Sequence, residues 1–576
     1  MKDYMSEYKK WMENENLDPK MKAELELIKG DEKDIQDRFY QDLSFGTAGL
    51  RGKMGAGTNR MNSYVIARAT HALAEVIETH GADYVKRGVA IAYDSRLNSK
   101  EFSEIAALVM ATHGIKVYIF ETLRPTPELS FAVRYFNCAS GINVTASHNP
   151  KEYNGYKVYW QEGSQIKDNI ANMVLEKIEK RDIFDSEKLI DKQEAIDKGL
   201  LIYVGKEVDE AYYNQVMSLS MRADSELDKD IVIAYTPLNG AGNIAVRTIL
   251  KQKGFNNVHV VKEQENPDGT FPTIEYPNPE NLKAFEYCEN LAKEVKADLL
   301  IATDPDSDRL AVEVVHEGKI IALNGNQTGV LLINYILNSL KDKNKLPKNA
   351  AIVKSIVTGE MGQAIAIAFG VETFDVLTGF KNISELPNIW EKTGEKTYVF
   401  GYEESIGYNA GAFVRDKDAV SSAMLMAEMA AYYKKQGKTL IDVLNELFEK
   451  YGYYAENTVS IVQEGITGKE RIGRMMDEIR NIYPKTIGNS KLVEITDYDK
   501  CEKTDLEKNQ TSKIDIEKTN AIKFKYQDGS WFTLRPSGTE PKIKLYIYTK
   551  SDSMEKAKKL LNTIEKTVLA LLDTVK

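Results

Sequence analysis

The chain has 576 residues, which is too long for one hydrophobic core and predicts about four domains. Hydrophobic residues make up 43% of the chain and charged residues 28%, a balance that excludes a disordered or fibrous protein. The formal net charge of −10 argues against a general nucleic-acid-binding protein, because such proteins neutralise phosphates with clustered basic side chains, but it allows a local cationic pocket for a small phosphorylated ligand.

The first 40 residues are predicted to form a helical extension. Asp18 precedes Pro19, and Gly30 follows an apolar and charged periodic run, which is the pattern of a helix with a capped start and a glycine just beyond its end. The first 17 residues are rich in Lys and Glu and lack the apolar segment of a signal peptide.

Short apolar runs then alternate with longer helical patterns, which is the rhythm of α/β domains. The predicted strands lie at Val89–Tyr93, 116–120, 231–235, 258–261, Leu299–Thr303, 351–356 and 398–401. We therefore predict three consecutive mixed-sheet α/β domains, with boundaries at 41–206, 207–323 and 324–452.

A smaller α+β domain is predicted for residues 453–576. It follows two helical patterns, one that ends near Gly437 and one that Thr439 and Asp442 open. The polar stretch 501–520 is followed by strand-like segments at Ile522–Tyr526, 531–534 and 542–548 and by an amphipathic helix.

The cysteines and the hydropathy pattern indicate the cellular compartment of the chain. Cys138, Cys288 and Cys501 are far apart and form neither a metal-spaced pair nor a disulfide framework. No stretch approaches the roughly 18 consecutive apolar residues that a membrane-spanning helix needs. We expect a cytoplasmic chain without a membrane partner, and the sequence leaves its oligomeric state open.

The first chemical candidate is Ser147, in the motif 145–150 between the strand-like segment 141–144 and Lys157. A serine at the end of a strand, among turn formers, presents its hydroxyl at an edge where a phosphate could be attached. Taken alone, the motif is explained more simply by a capping serine or a plain turn.

The second candidate is a carboxylate cluster directly after the strand Leu299–Thr303. Its members stand at alternate positions of a turn: Asp304, Asp306 and Asp308. Carboxylates at this spacing can converge on one hard cation through oxygen ligands, which suits Mg²⁺ or Ca²⁺. A solvated acidic loop is the simpler alternative for such a turn taken alone.

An EF-hand loop is the rival metal-binding interpretation. It requires Gly at the sixth position and Glu at the twelfth, where this chain has Arg309 and Val315, and it requires flanking helices. If Ser147 is phosphorylated, its phosphate oxygens would be natural further ligands of the same cation.

Two more motifs are candidates for binding an anion and a sugar. Arg535, Ser537 and Gly538 combine a guanidinium fork, a hydroxyl and a close-approach glycine, which suits a phosphate, although a glycine turn explains them equally. Glu403 and Ser405 follow another strand and could hold sugar hydroxyls, although a helix cap with acidic first-turn residues is the commoner use of such a pattern.

All four motifs, in this order, resemble those of the α-D-phosphohexomutase family of phosphoglucomutases and phosphomannomutases. The similarity spans residues 45–548, with further matching stretches at 45–52, 271–280 and 378–381. The 271–280 stretch and the helical extension look like the branch of bacterial phosphoglucomutases and phosphopentomutases. The resemblance implies four domains around a central cleft, the last of them similar to the TATA-binding-protein fold.

The resemblance also implies residue roles by matching position. Ser147 would be a phosphoserine that binds Mg²⁺ together with Asp304, Asp306 and Asp308. The other implied catalytic residues are Lys157, Arg51, His148 and Arg309. The implied substrate-binding residues are Thr378, Gly379, Lys381, Glu403, Ser405, Lys417, Arg535, Ser537, Gly538 and Thr539.

Lys157 is our candidate for the general base, since burial beside cations would lower its pKa. His148 would orient the Ser147 loop, a role that an ordinary turn histidine could equally fill. Many bacterial relatives place a histidine just after the Glu and Ser of the third-domain motif, whereas here Ile406 follows and no histidine occurs after His316.

The implied reaction is the interconversion of glucose 1-phosphate and glucose 6-phosphate through phosphorylated Ser147, with glucose 1,6-bisphosphate as bound intermediate and activator. A phosphomannomutase or phosphopentomutase of the same family is the first alternative. A Mg²⁺-dependent sugar phosphatase is the alternative from another reaction class, and a noncatalytic phosphosugar-binding protein is a further one.

Overall fold

The computed structural model describes residues 3–185, 188–463, 465–537 and 542–575, which form four sheets in chain order. The first three sheets mix parallel and antiparallel strands, and the fourth is antiparallel. The predicted fold class, three mixed α/β units followed by an α+β unit, is confirmed. The domain boundaries given above remain predictions.

The helical extension consists of α1 (Tyr4–Glu13), α2 (Pro19–Leu27) and α3 (Glu32–Phe39). The predicted cap of α2 is present, since the Asp18 carboxylate accepts from the N–H groups of Lys20 and Met21. Trp11 is fully buried and packs edge to face on Phe39 at 5.7 Å between ring centroids. The extension is therefore packed into the hydrophobic core of the first unit.

The first sheet has the order β1-β5-β4-β2-β3-β6. Its strands are β1 (Leu50–Lys53), β2 (Val89–Tyr93), β3 (Val117–Phe120), β4 (Ser140–Val144), β5 (Tyr153–Trp160) and β6 (Leu201–Val204). Its helices are α4 (Ser63–Thr79), α5 (Ala82–Arg87), α6 (Ser99–Thr112), α7 (Thr126–Tyr135), α8 (Asp168–Lys180) and α9 (Lys192–Asp197). β4 pairs antiparallel with β5, so the loop 145–152 that joins them lies at one edge of the sheet.

The second sheet has the order β11-β10-β9-β7-β8. Its elements are α10 (Lys206–Ser218), β7 (Ile233–Thr236), α11 (Gly242–Gln252), β8 (Val258–Val260), α12 (Lys262–Glu265), α13 (Glu286–Val295), β9 (Leu299–Thr303), β10 (Leu310–His316) and β11 (Lys319–Leu323). β9 and β10 pair antiparallel, with Thr303 opposite Leu310. The aspartate turn is the short connection between these two strands, which excludes the EF-hand alternative because that loop needs flanking helices.

The third sheet has the order β13-β12-β14-β15. Its elements are α14 (Gly325–Asp342), β12 (Ala350–Ser355), α15 (Met361–Ala368), β13 (Glu372–Val376), α16 (Phe380–Thr393), β14 (Thr397–Glu403), β15 (Gly407–Asn409), α17 (Ala419–Lys434) and α18 (Leu440–Tyr451). The predicted start of α18 is confirmed, since Thr439 and Asp442 form a reciprocal capping box.

The fourth sheet has the order β16-β23-β22-β21-β18-β19-β20, with β17 paired to β18. Its elements are β16 (Tyr453–Val462), α19 (Gly465–Asn481), β17 (Thr486–Ile487), β18 (Ser490–Asp497), β19 (Glu502–Asp505), β20 (Gln510–Lys513), β21 (Ile522–Tyr526), β22 (Trp531–Pro536), β23 (Lys542–Ser551) and α20 (Met554–Asp573). The hairpin of β19 and β20 was not predicted, because neither strand has the buried, alternating apolar face that marks a strand in a sequence.

One hydrophobic core extends from the first sheet through the second and third sheets and reaches the fourth, where it includes Trp531. It includes Phe131 of the first unit, Tyr235 of the second and Leu332 of the third, all buried. Because close-packed cores deform little, the loops at the edges of these three sheets have defined positions relative to one another. Within the described part of the chain, no helix has both the length and the apolar character needed to cross a membrane.

Candidate active site

Ser147 points its hydroxyl at the second unit. Its φ of +52° is in the left-handed region, which costs a non-glycine residue about 1–2 kcal/mol. The Oγ atom donates to Asp304 Oδ2 at 2.8 Å and lies 3.2 Å from His148 Nδ1, and the side chain is only 4% exposed. The loop after β4 therefore adopts a strained conformation that brings the hydroxyl against a carboxylate of another unit.

Arg96 supports the backbone of the Ser147 loop. Its guanidinium donates to four backbone carbonyl groups, those of Ser147, Asn149, Pro150 and Tyr153. Its Nε lies 3.3 Å from Asp94 Oδ2, and both side chains are fully buried. Arg96 was not predicted from the sequence, although it stands two residues after Asp94, a charged residue that directly follows the buried strand β2.

We expect Arg96→Met to lower the free energy of unfolding by about 3 kcal/mol, because the change leaves Asp94 buried without its partner. Urea denaturation of the whole chain measures this loss. Arg87→Met is the matched control, since Arg87 also donates to two carbonyl groups, but its ion-pair partner Asp83 is 78% exposed. A surface pair contributes at most about 1 kcal/mol, so equal losses in the two variants would contradict the prediction.

The three carboxylates after β9 converge. Asp304, Asp306 and Asp308 are buried, and each offers an oxygen within 4.8 Å of the others. Asp304 Oδ1 accepts from the backbone N–H groups of Asp308 at 3.1 Å and Arg309 at 3.0 Å, so the turn itself orients this carboxylate. Asp306 Oδ2 accepts from Thr126 Oγ1 at 2.8 Å, which joins the cluster to the first unit.

The cluster has the donor set of a divalent cation site. Oδ1 of Asp306 and Oδ1 of Asp308 are buried and have no hydrogen-bond partner among the described residues. Burial and the charges of its two neighbours raise the pKa of Asp304 well above its usual value. Buried, unpaired carboxylate oxygens are hard ligands that suit Mg²⁺, so the residues present fit this ion.

Two lysines neutralise part of this negative charge. Lys157 Nζ lies 2.7 Å from Asp306 Oδ2 and 3.3 Å from Asp308 Oδ2, and Lys417 Nζ lies 3.3 Å from the same Asp308 oxygen. Lys417, expected among the substrate-binding residues, therefore contacts the aspartate cluster. Asp416 Oδ1 lies 3.3 Å from Lys417 Nζ and belongs to the same buried network.

The expected lowering of the pKa of Lys157 is wrong. Burial lowers this pKa, but the carboxylates of Asp306 and Asp308 outweigh burial, and the net pKa of Lys157 is raised. Cations were expected as the nearest neighbours of Lys157, whereas its nearest charged groups are carboxylates. Lys157 is therefore a charged group in this arrangement.

The other predicted residues near Ser147 surround the same region. The Arg309 guanidinium donates to Glu280 Oε2 and to the carbonyl of Ser405, both at 3.4 Å. Arg51 Nη1 donates to Asn149 Oδ1 at 3.3 Å. Burial, followed by the charges of Arg309 and Arg51, lowers the pKa of His148 well below its usual value, so His148 is neutral.

The third unit contributes the 403–405 loop at the end of β14. Glu403 Oε1 accepts from the backbone N–H of Gly379 at 2.7 Å, and Gly379 has a φ of +102°, which favours glycine. Thr378 and Lys381 lie on the same segment as Gly379. Burial lowers the pKa of Lys381. The two predicted sugar-binding segments are therefore joined by a direct hydrogen bond.

The fourth unit contributes Arg535 on β22. The backbone N–H of Ser537 donates to the carbonyl of Lys542 at 2.8 Å, and the predicted residues Gly538 and Thr539 lie outside the described residues. Arg535 stands directly opposite Lys544 on β23. Like charges directly opposite on one face of a sheet destabilise it unless an anion lies between them.

Neither Lys544 nor Glu280 was predicted from the sequence to have a role. Burial lowers the pKa of Lys544, and the charges of Glu404 and Glu280 offset this lowering only in part. The cross-strand pairing with Arg535 is the signal that would have identified Lys544, but it requires the strand register.

Four family models match the chain in order. They are described as phosphoglucomutase/phosphomannomutase alpha/beta/alpha domain I, at residues 42–183, domain II, at 210–318, domain III, at 324–451, and the C-terminal domain, at 492–566. Each matched range contains one of the four motifs. The chain belongs to this family. The resemblance to the α-D-phosphohexomutases is thereby confirmed.

Named relatives and solved structures agree with this assignment. A phosphoglucomutase of Staphylococcus epidermidis is 38% identical over 524 residues, which cover 90% of this chain and 93% of the relative. Parafusin, a phosphoglucomutase from Paramecium in an open form, superposes with a TM-score of 0.68 at 17% identity, covering 93% and 95% of the two chains. A phosphoglucomutase/phosphomannomutase family protein from Burkholderia thailandensis superposes with a TM-score of 0.65 at 18% identity, covering 92% and 98%. These structures share the fold of this chain.

Proposed function

We propose that the chain is a phosphosugar mutase that interconverts glucose 1-phosphate and glucose 6-phosphate through Ser147. The observation that carries this proposal is the 2.8 Å hydrogen bond from Ser147 Oγ to Asp304 Oδ2, which joins a nucleophilic hydroxyl to a buried carboxylate cluster. The name of the Staphylococcus epidermidis relative supports glucose as the sugar. A phosphomannomutase or phosphopentomutase would use the same site.

In the proposed reaction, phosphorylated Ser147 gives its phosphoryl group to the free hydroxyl of a sugar monophosphate. The bond between phosphorus and Ser147 Oγ breaks as the bond to the sugar oxygen forms, and the product is a bound glucose 1,6-bisphosphate. After the bisphosphate turns around, Ser147 takes back the other phosphoryl group. In the first transfer the proton of the attacking sugar hydroxyl passes to Ser147 Oγ as this oxygen is freed, and in the return transfer the proton of the Ser147 hydroxyl passes to the sugar oxygen that is freed, so the protons balance over the cycle. His148 Nδ1, 3.2 Å from Oγ, orients this hydroxyl.

The charged side chains around Ser147 support the transfer electrostatically. Lys157 and Lys417 bring positive charge to Asp306 and Asp308. Arg51 donates to Asn149 of the Ser147 loop, and the charge of Arg309 contributes to lowering the pKa of His148 in the same loop. Asp304, Asp306 and Asp308, together with the Ser147 phosphate, would hold Mg²⁺. When bound there, Mg²⁺ supplies charge that stabilises the oxygens of the transferring phosphoryl group.

The remaining predicted residues bind the substrate in this proposal. Those that contact the sugar are Thr378, Gly379, Lys381, Glu403 and Ser405. Those that hold the phosphate that is not transferred are Arg535, Ser537, Gly538 and Thr539, to which we add Lys544. Arg535 and Lys544 oppose each other in register, and a phosphate between them would relieve their repulsion.

We also infer that the chain acts in the cytoplasm. Cys138 and Cys288 are buried free thiols and Cys501 is a partly buried one, which suits a reducing compartment.

A coupled assay tests the proposed function. Glucose 1-phosphate with a trace of glucose 1,6-bisphosphate and Mg²⁺ is expected to yield glucose 6-phosphate. The main rival, a Mg²⁺-dependent sugar phosphatase, would instead release free phosphate, and a noncatalytic binding protein would release neither product. Parallel assays with mannose, glucosamine and ribose 1-phosphates test the choice of sugar, and a faster rate with any of them would contradict the glucose assignment.

A further inference from the structure

The turn between β12 and α15, here called the 355–360 turn, holds the 403–405 loop in place. Ser355 Oγ and Thr358 Oγ1 each donate to Glu404 Oε2 at 3.0 Å. The backbone N–H of Glu404 donates back to Thr358 Oγ1 at 3.3 Å. Any displacement of the turn is therefore transmitted to the loop that carries Glu403 and Ser405.

The same turn also contacts the last domain. Lys523, on β21, donates through Nζ to the carbonyl of Ile356 at 3.4 Å and to Glu360 Oε1 at 3.1 Å. The ammonium group also lies 4.0 Å from the centroid of the Trp531 ring. Lys523 is only 8% exposed, so its charge depends on these partners.

A second buried lysine makes the turn rigid. Lys354 Nζ donates to the carbonyl of Thr358 at 3.2 Å and lies 2.8 Å from Asp375 Oδ1 and 3.6 Å from Glu360 Oε2. Glu360 thus lies between Lys354 of its own unit and Lys523 of the last domain. Although burial raises the pKa of Glu360, the two lysines outweigh burial and lower it to about 2, so this carboxylate is charged at neutral pH.

We propose that Glu360 and Lys523 are positioning residues that couple the position of the last domain to the geometry of the 403–405 loop. β21 is adjacent to β22, and Lys523 pairs with Thr533, two residues before Arg535. Loss of the Lys523–Glu360 contact would therefore shift Arg535 relative to Glu403. This inference rests on the proposed function, in which one substrate molecule contacts both groups.

The test uses Lys523→Met and Glu360→Gln in the full chain. In both variants the KM for glucose 1-phosphate is expected to rise about tenfold, and kcat is expected to change less than about twofold. The reason is that a displaced last domain weakens binding of the ground state and of the transition state alike. Lys523→Arg should restore most of the affinity. Lys253→Met is the matched control, because Lys253 forms a buried ion pair with Glu428, 2.7 Å away, between the second and third units. The KM of this variant should not change.

Amide hydrogen exchange gives a second measurement that does not depend on turnover. In Lys523→Met, exchange in residues 403–405 should be at least about fivefold faster than in the unmodified chain, and in Lys253→Met it should be unchanged. Unchanged exchange in Lys523→Met would overturn the coupling whatever the activity. If exchange is faster in Lys523→Met but the unmodified chain does not isomerise glucose 1-phosphate, the proposed function is contradicted and the coupling is still supported.

Discussion

Ser147→Ala is expected to lower the rate of glucose 1-phosphate isomerisation by at least about 10³-fold, because the variant has no oxygen to accept and donate the phosphoryl group. The variant should still fold although it loses the hydrogen bond from the serine hydroxyl to Asp304, because Arg96 holds the loop independently of that bond. Steady-state kinetics and thermal unfolding of the variant measure the two effects separately.

Ser99→Ala is the matched control for this prediction. Ser99 is fully buried in the same unit and donates to Asp94 Oδ1 at 2.7 Å, but it does not contact the aspartate cluster. Incubation with labelled glucose 1,6-bisphosphate should label the unmodified chain and Ser99→Ala and should leave Ser147→Ala unlabelled. Full isomerising activity in Ser147→Ala would contradict the proposed reaction.

Three of the four motifs were predictable because they lie at the end of a short apolar strand. Ser147 follows β4, Asp304 follows β9 and Glu403 ends β14, and in α/β sheets such strand ends are where ligands bind. The capped starts of α2 and α18 were predictable for a similar reason, since their polar side chains bond to the helix's own backbone. In both cases the signal is contained in a few consecutive residues.

Features that depend on distant partners were not predictable in this way. The direction of the pKa shift of Lys157 follows from 2.7 and 3.3 Å contacts to carboxylates about 150 positions away. Arg96 acts through carbonyl groups of a loop about 50 positions later, and Lys544 is recognised only once its register with Arg535 is known. A single sequence does not directly give the distances between side chains that are far apart along the chain.

Removal of Mg²⁺ with EDTA is expected to lower the isomerisation rate by at least about 10²-fold, and added Mg²⁺ should restore it. Asp306→Asn should reduce the rate in saturating Mg²⁺ by a similar factor, because it removes one of three convergent carboxylates and the partner of Lys157. A readout without turnover is available as well. Mg²⁺ should raise the melting temperature of the unmodified chain by binding the folded state, and Asp306→Asn should lose this increase.

Glu128→Gln separates a specific metal effect from the general effect of removing a buried carboxyl group. Glu128 is fully buried in the first unit, and burial together with Asp209 raises its pKa well above the usual value, which favours the uncharged form. Its amide variant should keep the Mg²⁺-dependent increase in melting temperature. If Asp306→Asn also kept the increase, or if the chain were fully active in EDTA, the unpaired oxygens of Asp306 and Asp308 would not be Mg²⁺ ligands. The buried lysines alone would then have to balance the charge of the transferred phosphoryl group.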